Sequence, residues 1–440
     1  MNQQRSFRAI GRALASRNYR LFFFGQSVSL IGTWMQQVAM MWLVYQRTGS
    51  AFLLGLVGFA SQIPAFLLAP LAGVLIDRWD RRRTLLGTQA GALLQAVLML
   101  ALAAATGLPT SYTIAGILAL SVFLGTVNAL DTPARQAFLV QMIENREDLG
   151  NAIALNSSMF NAARLIGPAL AGFLIDAAGE WTCFLLNALS YVAVLAALLA
   201  MRVETQRPAR TSVVQGFAEG FRYAFGFAPI RVLLVQLGLV SFAAMPLQVL
   251  MPVFATDILG GGPHTLGLLT GASGLGALAG ALLLASRRTV LGLGRQIAAA
   301  GLLFGGAMIG FGFSQTLGLS LAILLLAGFA MIVQMAASNT VLQTIVAEDK
   351  RGRVMAFYSM AFMGMAPLGS LAAGAIAGRL GAPLTVQLGG ALALVVAALF
   401  ALRLPALREA IRPIYREAGI LPEISTGIDA ATELRVPPED

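Results

Sequence analysis

Twelve apolar runs, each about as long as a bilayer is thick, leave this chain almost no choice of solvent. A hydrocarbon core of about 30 Å needs about 20 apolar residues per helix. Only helices and closed barrels satisfy every backbone group there. Such runs lie at 19–45, 51–76, 84–106, 111–131, 150–176 and 179–201. After a polar break they resume at 231–256, 264–286, 295–314, 316–340, 352–378 and 382–404. Composition agrees: of 440 residues 58% are hydrophobic and 11% charged, against about 25% charged in a soluble domain. The expectation is an all-α membrane protein of twelve helices. Residues 1–18 are basic and polar and run directly into a full span, so no cleavable signal peptide is expected.

Basic residues orient the spans. With the N-terminus placed inside, the N-terminal segment carries 5 Lys or Arg, the alternate loops 4, 2, 5, 3 and 3, and the C-terminal segment 5. The opposite side carries Arg47 and Arg379, and Arg164 lies within a span. This asymmetry predicts cytoplasmic termini by the positive-inside rule. The net charge of +10 is thereby a topology signal in short loops, and it does not point to nucleic acid.

The chain repeats at an offset of 202. Gln141, Ile143, Glu147, Gly150, Ala154, Ser157, Phe160, Gly167, Ala171 and Gly172 meet Gln343, Ile345, Asp349, Gly352, Ala356, Ser359, Phe362, Gly369, Ala373 and Gly374. Both stretches join the fourth helix of a half to its fifth, so a six-helix unit is duplicated in parallel. The expected organisation is a cytoplasmic segment 1–18, a bundle 19–201, a linker 202–230, a bundle 231–404 and a cytoplasmic tail 405–440. Phe217, Phe221 and Phe225 recur every four residues in the linker, with Glu219 and Arg222 on other faces. That pattern predicts a helix on the membrane surface.

Several chemistries have no support. Cys183 is the single cysteine and His264 the single histidine, which leaves no cysteine-based metal site or nucleophile–histidine pair. Neither a P-loop nor an H-E-x-x-H motif occurs. No cofactor or metal is expected.

Two loops carry a family likeness. The segment after the second helix reads Gly73-Val-Leu-Ile-Asp77-Arg78-Trp79-Asp80-Arg81-Arg82-Arg83, and the fifth helix carries Ala163-Arg-Leu-Ile-Gly167-Pro168-Ala-Leu-Ala171-Gly172. The first resembles the G-x-L-a-D-r-x-G-r-[kr] loop of the major facilitator superfamily, with Asp80 in place of a glycine. The second is similar to the G-x-x-x-G-P-x-x-G-G motif of its antiporters, with alanine for two glycines. Trp34-Met-Gln36, Trp42-Leu-Val-Tyr45, Glu219-Gly-Phe-Arg-Tyr223 and Pro229-Ile-Arg231 resemble the branch of enterobactin-type siderophore exporters and macrolide efflux proteins. The likeness covers about 19–404. It implies a bacterial inner-membrane, monomeric exporter of an amphipathic metabolite, drug or siderophore, working by alternating access and coupled to protons. Importers and lipid flippases share the fold, and a non-transport scaffold is the remaining alternative. Substrate in this superfamily sits near the midplane between halves.

The resemblance also directs attention to particular residues. Asp77, Arg78 and Arg81 form a candidate cytoplasmic gate against the start of the eleventh helix near Arg353, with Gly73, Gly167 and Pro168 assisting bending or close packing. Arg164 lies roughly 21 Å into the fifth helix, at a depth where arginine costs about 2.5–3.5 kcal/mol. It contacts an anionic group or helps proton coupling, or else it ties helices together through backbone carbonyls. Asn161 and Ser157 share its stripe. Gln26, Ser29, Thr33, Gln36 and Met40 form one face of the first helix. Ser241 and Gln248, then Met331, Gln334 and Ser338, supply second-half equivalents on the seventh and tenth helices. These stripes line a central cavity or hydrogen-bond helices together. No carboxylate falls in mid-span, so Asp131, with Arg135, is the coupling candidate at a helix end.

Overall fold

The computed structural model describes residues 11–105, 107–203, 221–287 and 289–420; within these, side chains at 69, 70, 73, 74, 77, 146 and 349 are not described. Among the described residues the chain is helical throughout. The long helices are α1 (Arg17–Thr48), α2 (Ala51–Arg78), α3 (Arg81–Ala104), α4 (Thr110–Leu139), α5 (Leu149–Ala178) and α6 (Trp181–Ala200). They are followed by α7 (Ala228–Ile258), α8 (Pro263–Ala285), α9 (Leu293–Phe313), α10 (Leu317–Ile345), α11 (Glu348–Leu380) and α12 (Ala382–Glu417). Helices α2 to α12 are each long and apolar enough to cross a membrane. Helix α1 reaches the length, at 32 residues, and its amides and hydroxyls lower its apolarity.

Local signals set the breaks. Gly49, at φ 59°, closes α1 in the left-handed region that glycine enters freely. Ser50 then caps α2 by accepting from the Leu53 amide. Asp80, the residue that departs from the family loop, caps α3 by accepting from the Arg83 amide at 2.9 Å. The last residues of α7, Phe254–Ile258, wind as a π-helix, a feature frequent at functional sites.

The duplication reappears in the packing. α1 packs on α5 and α6 as α7 packs on α11 and α12, and α3 packs on α4 and α6 as α9 packs on α10 and α12. α2 meets α4 as α8 meets α10. Two symmetric seams then join the bundles, α2 on α11 and α5 on α8. Each end of the molecule has its own character. The basic end holds both ends of the described chain and the arginine-rich loops; the opposite end has turns of one to five residues. At this short-loop end one apolar cluster runs across both bundles and includes Leu43, Leu54 and Phe184 with Leu247, Phe254, Leu266 and Phe311. At the basic end the apolar side chains divide into two clusters. Tyr19, Phe22, Phe138 and Leu198 belong to the first bundle, and Leu233, Ile297, Phe357 and Leu407 to the second.

The fourth helix departs from expectation. Helix α4 continues eight residues past Asp131, so the carboxylate lies inside a helix and is not at its end. The apolar run stops at Asp131 because a charge stands there, yet the helix goes on because Arg135, one turn later, neutralises it. In the linker, Phe217 and Glu219 lie outside the described residues. Phe221 stacks on Phe225 at 4.5 Å, and both rings meet Phe357 of α11.

Candidate functional site

The two seams close by backbone contact at the short-loop end. A Cβ on Gly55 of α2 would stand 2.7 Å from the Cα of Gly374 of α11, and one on Gly172 of α5 would stand 2.9 Å from the Cα of Gly267 of α8. Real Cβ atoms do not approach so closely, so only glycine permits these crossings. A side-chain bond adds to them: the Tyr45 hydroxyl of α1 donates to Asp257 Oδ2 in the π-helical turn of α7 at 2.5 Å. Thr256 Oγ1 donates to the other carboxylate oxygen at 2.7 Å.

Arg164 stands halfway along α5, where the α5–α8 seam reaches Gly274. A Cβ there would lie 3.2 Å from the Arg164 carbonyl oxygen. Pro168, one turn on, has no N–H to offer that carbonyl, and it is buried, as is Gly167, which backs onto Trp34. The guanidinium lies over the Trp34 ring, 5.9 Å from its centroid. Trp34 in turn meets Phe160 edge-on at 5.9 Å. Among the described residues no carboxylate lies within salt-bridge distance of Arg164. Asn161 donates to the Ser157 carbonyl of its own helix.

The polar face of α1 turns into its own bundle. Gln26, Ser29 and Gln36 are all buried. Gln36 donates to Gln95 Oε1 of α3 at 2.8 Å and accepts from Asn187 Nδ2 of α6 at 2.8 Å, while Ser190 donates to Asn187 Oδ1. Thr33 bonds the Ser29 carbonyl and lies 3.2 Å from the Tyr191 hydroxyl. Ser121 of α4 reaches the Met40 sulfur. These residues therefore knit α1 to α3, α4 and α6. In the second bundle Gln248 is exposed on α7, the most deeply buried of the spans. Gln334 and Ser338 are buried on α10, with Ser338 donating to the Gln334 carbonyl. Ser241 bonds the Phe362 carbonyl of α11.

Asp131 has the densest polar shell. It is 2% exposed, accepts from Thr88 Oγ1 at 2.8 Å and Gln89 Nε2 at 2.7 Å, and pairs with Arg135 on its other oxygen. At the basic end Arg81 donates to the Ala137 carbonyl and Arg82 to Leu198 and Leu199, all within the first bundle. Arg78 is exposed in the last turn of α2. Gly73 lies within α2, and the Asp77 side chain lies outside the described residues, so no contact of the proposed gate is seen from that side.

Sequence reasoning gave no role to Gln95, Asn187, Tyr45 or Asp257. Asn187 and Ser190 were visible as polar residues in an otherwise apolar span. The Tyr45–Asp257 bond joins residues 212 apart and left no local signal. No group of His, Cys, Asp or Glu able to hold a metal occurs among the described residues.

Two repeated bundles joined by paired seams, with an arginine halfway along α5, make the architecture of the molecule. A crystal structure of a peptide transporter of the POT family shares it, with TM-score 0.71 at 11% identity, covering 90% of this chain and 96% of that one. The chain belongs to the transmembrane secretion effector family of the major facilitator superfamily, whose pattern matches residues 12–422. Over 398 residues it is 28% identical to the multidrug efflux pump Tap of Mycobacterium tuberculosis, covering 88% of this chain and 94% of the relative. Over 353 residues it is 27% identical to the staphyloferrin A transporter of Staphylococcus aureus, covering 80% and 87%. The protein is a multi-pass membrane transporter.

Proposed function

We propose that this transporter exports a small amphipathic metabolite or drug, a siderophore among the candidates, across a bacterial inner membrane by proton-coupled alternating access. The basic end faces the cytoplasm, and the molecule works as a monomer. The bundles 19–201 and 231–404 rock as units about the two seams, with 202–230 as the tether. One observation carries this reading: the bundles share a single apolar core at the short-loop end and keep separate cores at the basic end. A molecule joined at one end and divided at the other is in the inward-facing arm of such a cycle. The efflux named for the relative Tap supports the outward direction.

Cargo is proposed to bind at mid-depth around Arg164 and Asn161, with Gln248 facing it from α7. The α1 amides, Gln334 and Ser338 hold the walls of this site in place. Proton coupling is assigned to Asp131. Its carboxylate accepts from Thr88 and Gln89 of α3 and is balanced by Arg135 of its own helix, so adding a proton frees the arginine and weakens the two bonds that tie α4 to α3. The reading is tested in inverted vesicles with an acid interior. Accumulation of an amphipathic dye, abolished by a protonophore and by Asp131→Asn, is expected. Lipid movement indifferent to the gradient would replace the reading with a flippase, and no flux of any kind would leave a scaffold.

A further inference from the structure

We propose that the transporter selects cargo bearing an oxyanion beside a flat aromatic face, with Arg164 reading the charge and Trp34 and Phe160 the ring. The proposal rests on the transport reading above and deepens it. Its starting point is a mismatch among the arginines. Arg135 is paired with Asp131, and Arg81 and Arg82 donate to backbone carbonyls. These three stand near the basic end, where water is close and pairing matters least. Arg164 stands at the middle of α5, where pairing matters most, and among the described residues it has neither an anionic partner nor a hydrogen-bond acceptor.

Among the described residues the interaction shown for its guanidinium is with the Trp34 ring. The guanidinium carbon stands 5.9 Å from the Trp34 centroid, and its planar fork of N–H groups is open to a further partner. Two parallel N–H donors match the two oxygens of a carboxylate or a phosphate. The aromatic surface continues from Trp34 to Phe160, which is 46% exposed and lies one turn nearer the basic end. A ring entering from that end meets Phe160 first, and Trp34 and Arg164 stand together beyond it. Asn161 gives one amide N–H to the Ser157 carbonyl, and its carbonyl oxygen remains to accept from a cargo hydroxyl. The site also ends where it should. Just beyond Arg164, Gly274 closes against the backbone, so cargo held here is stopped at the seam that must open for release.

Four naphthalene probes of one shape separate the terms: 2-naphthoate, 2-naphthyl phosphate, 2-naphthamide and 2-naphthylmethylammonium. Flux is measured into proteoliposomes of the full chain, and thermal stabilisation by each probe is measured separately in detergent, because binding to the folded state raises the melting temperature without any need for transport. The anions are expected to move and to stabilise at least about tenfold better than the amide, as charge-assisted bonds do, with the ammonium lowest. Naphthoate ahead of the phosphate marks a carboxylate site, and the reverse order a phosphate site. Arg164→Gln should collapse the anion-to-amide ratio to about one, and Arg164→Lys, which keeps charge without the fork, should fall between. Trp34→Leu serves if Arg164→Gln does not fold; it should weaken naphthoate more than cyclohexanecarboxylate. Flux without anion preference overturns this proposal and leaves the transport reading standing. Anion-selective stabilisation without flux does the opposite, and neither effect removes both.

Discussion

Helices α4 and α10 hold corresponding places in the two bundles, and they fill the same interior with different chemistry. On α4, Asp131 is aimed at Thr88 and Gln89 of α3, with Arg135 one turn on. On α10, Gln334 lies beside Gly301 of α9, with Ser338 one turn on. Both pairs are spaced by four residues, and at the repeat offset Asp131 and Arg135 meet the apolar Val333 and Ala337, with the polar pair of α10 set one residue on. The fold therefore does not require an ion pair at this position, since the second bundle packs without one. In the first bundle the pair is therefore open to a task besides packing, and proton coupling is the proposed one.

The largest expected effect comes from breaking the pair in one bundle only. Asp131→Ala strands Arg135, whose side chain is 23% exposed, and should cost about 3 kcal/mol of stability, the low end for a buried pair because water reaches the arginine. Gln334→Ala removes an amide whose Oε1 already has no partner and should cost about 1 kcal/mol or less. Thermal unfolding of the two variants in one detergent measures both, and equal losses would erase the distinction between the bundles. Converting the first bundle to the chemistry of the second sharpens the test. Asp131→Gln combined with Arg135→Ser should recover stability to within about 1 kcal/mol of the parent, since a neutral buried pair is no worse than a charged one. Gradient-driven accumulation should nevertheless be lost. A double variant that still concentrates cargo against a pH gradient would remove Asp131 from the coupling.

A second contrast lies one layer away. In the first bundle Gln36, Gln95 and Asn187 form an amide knot among α1, α3 and α6. At the repeat offset Asn187 meets Gly389 of α12, which packs on the Ala243 carbonyl, Met308 and Pro246. Asn187→Leu leaves Gln36 Oε1 without its donor in a buried site and should cost about 1–2 kcal/mol. Gly389→Ala should cost a similar amount for a steric reason, because its Cβ would stand 2.6 Å from a carbonyl oxygen. Adding a small neutral amide probe to the detergent should leave both variants as they are, whereas suppressor changes at Gln36 should rescue only the first.

How far these features were legible follows from their range. Apolar runs and loop arginines are local, so the twelve helices and the repeat could be read directly. Helical spacing placed Gln26, Ser29, Thr33 and Gln36 on one face, but spacing alone does not say whether that face meets a cavity or a neighbouring helix. Here it meets α3 and α6, because Gln95 and Asn187, 59 and 151 residues away, supply the partners. Asp131 misled for a related reason. A charge ends an apolar run, but its counter-charge four residues later allows the helix to continue. Arg164 was visible because nothing local offsets it, and the structure adds Trp34 as its platform.

The smallest effect belongs to the joint between the bundles. Tyr45 and Asp257 bond across the molecule at the short-loop end, where the shared apolar core and the glycine crossings supply most of the closure. Tyr45→Phe keeps the ring in that core and deletes one hydrogen bond to a charged group. Asp257 retains Thr256, so the net loss should be about 1 kcal/mol, or roughly a fivefold shift toward the outward-open population. Spin labels placed on the exposed turns at Leu108 and Gln315, one in each bundle, measure that shift as a gain in the longer distance component. Because the bond spans both bundles, its loss should change the balance between states while leaving the stability contrast between α4 and α10 as it was. If Tyr45→Phe instead lowers the melting temperature as much as Asn187→Leu and leaves the distance distribution unmoved, the bond is a packing contact within the shared core, and closure of this end rests on the glycine crossings alone.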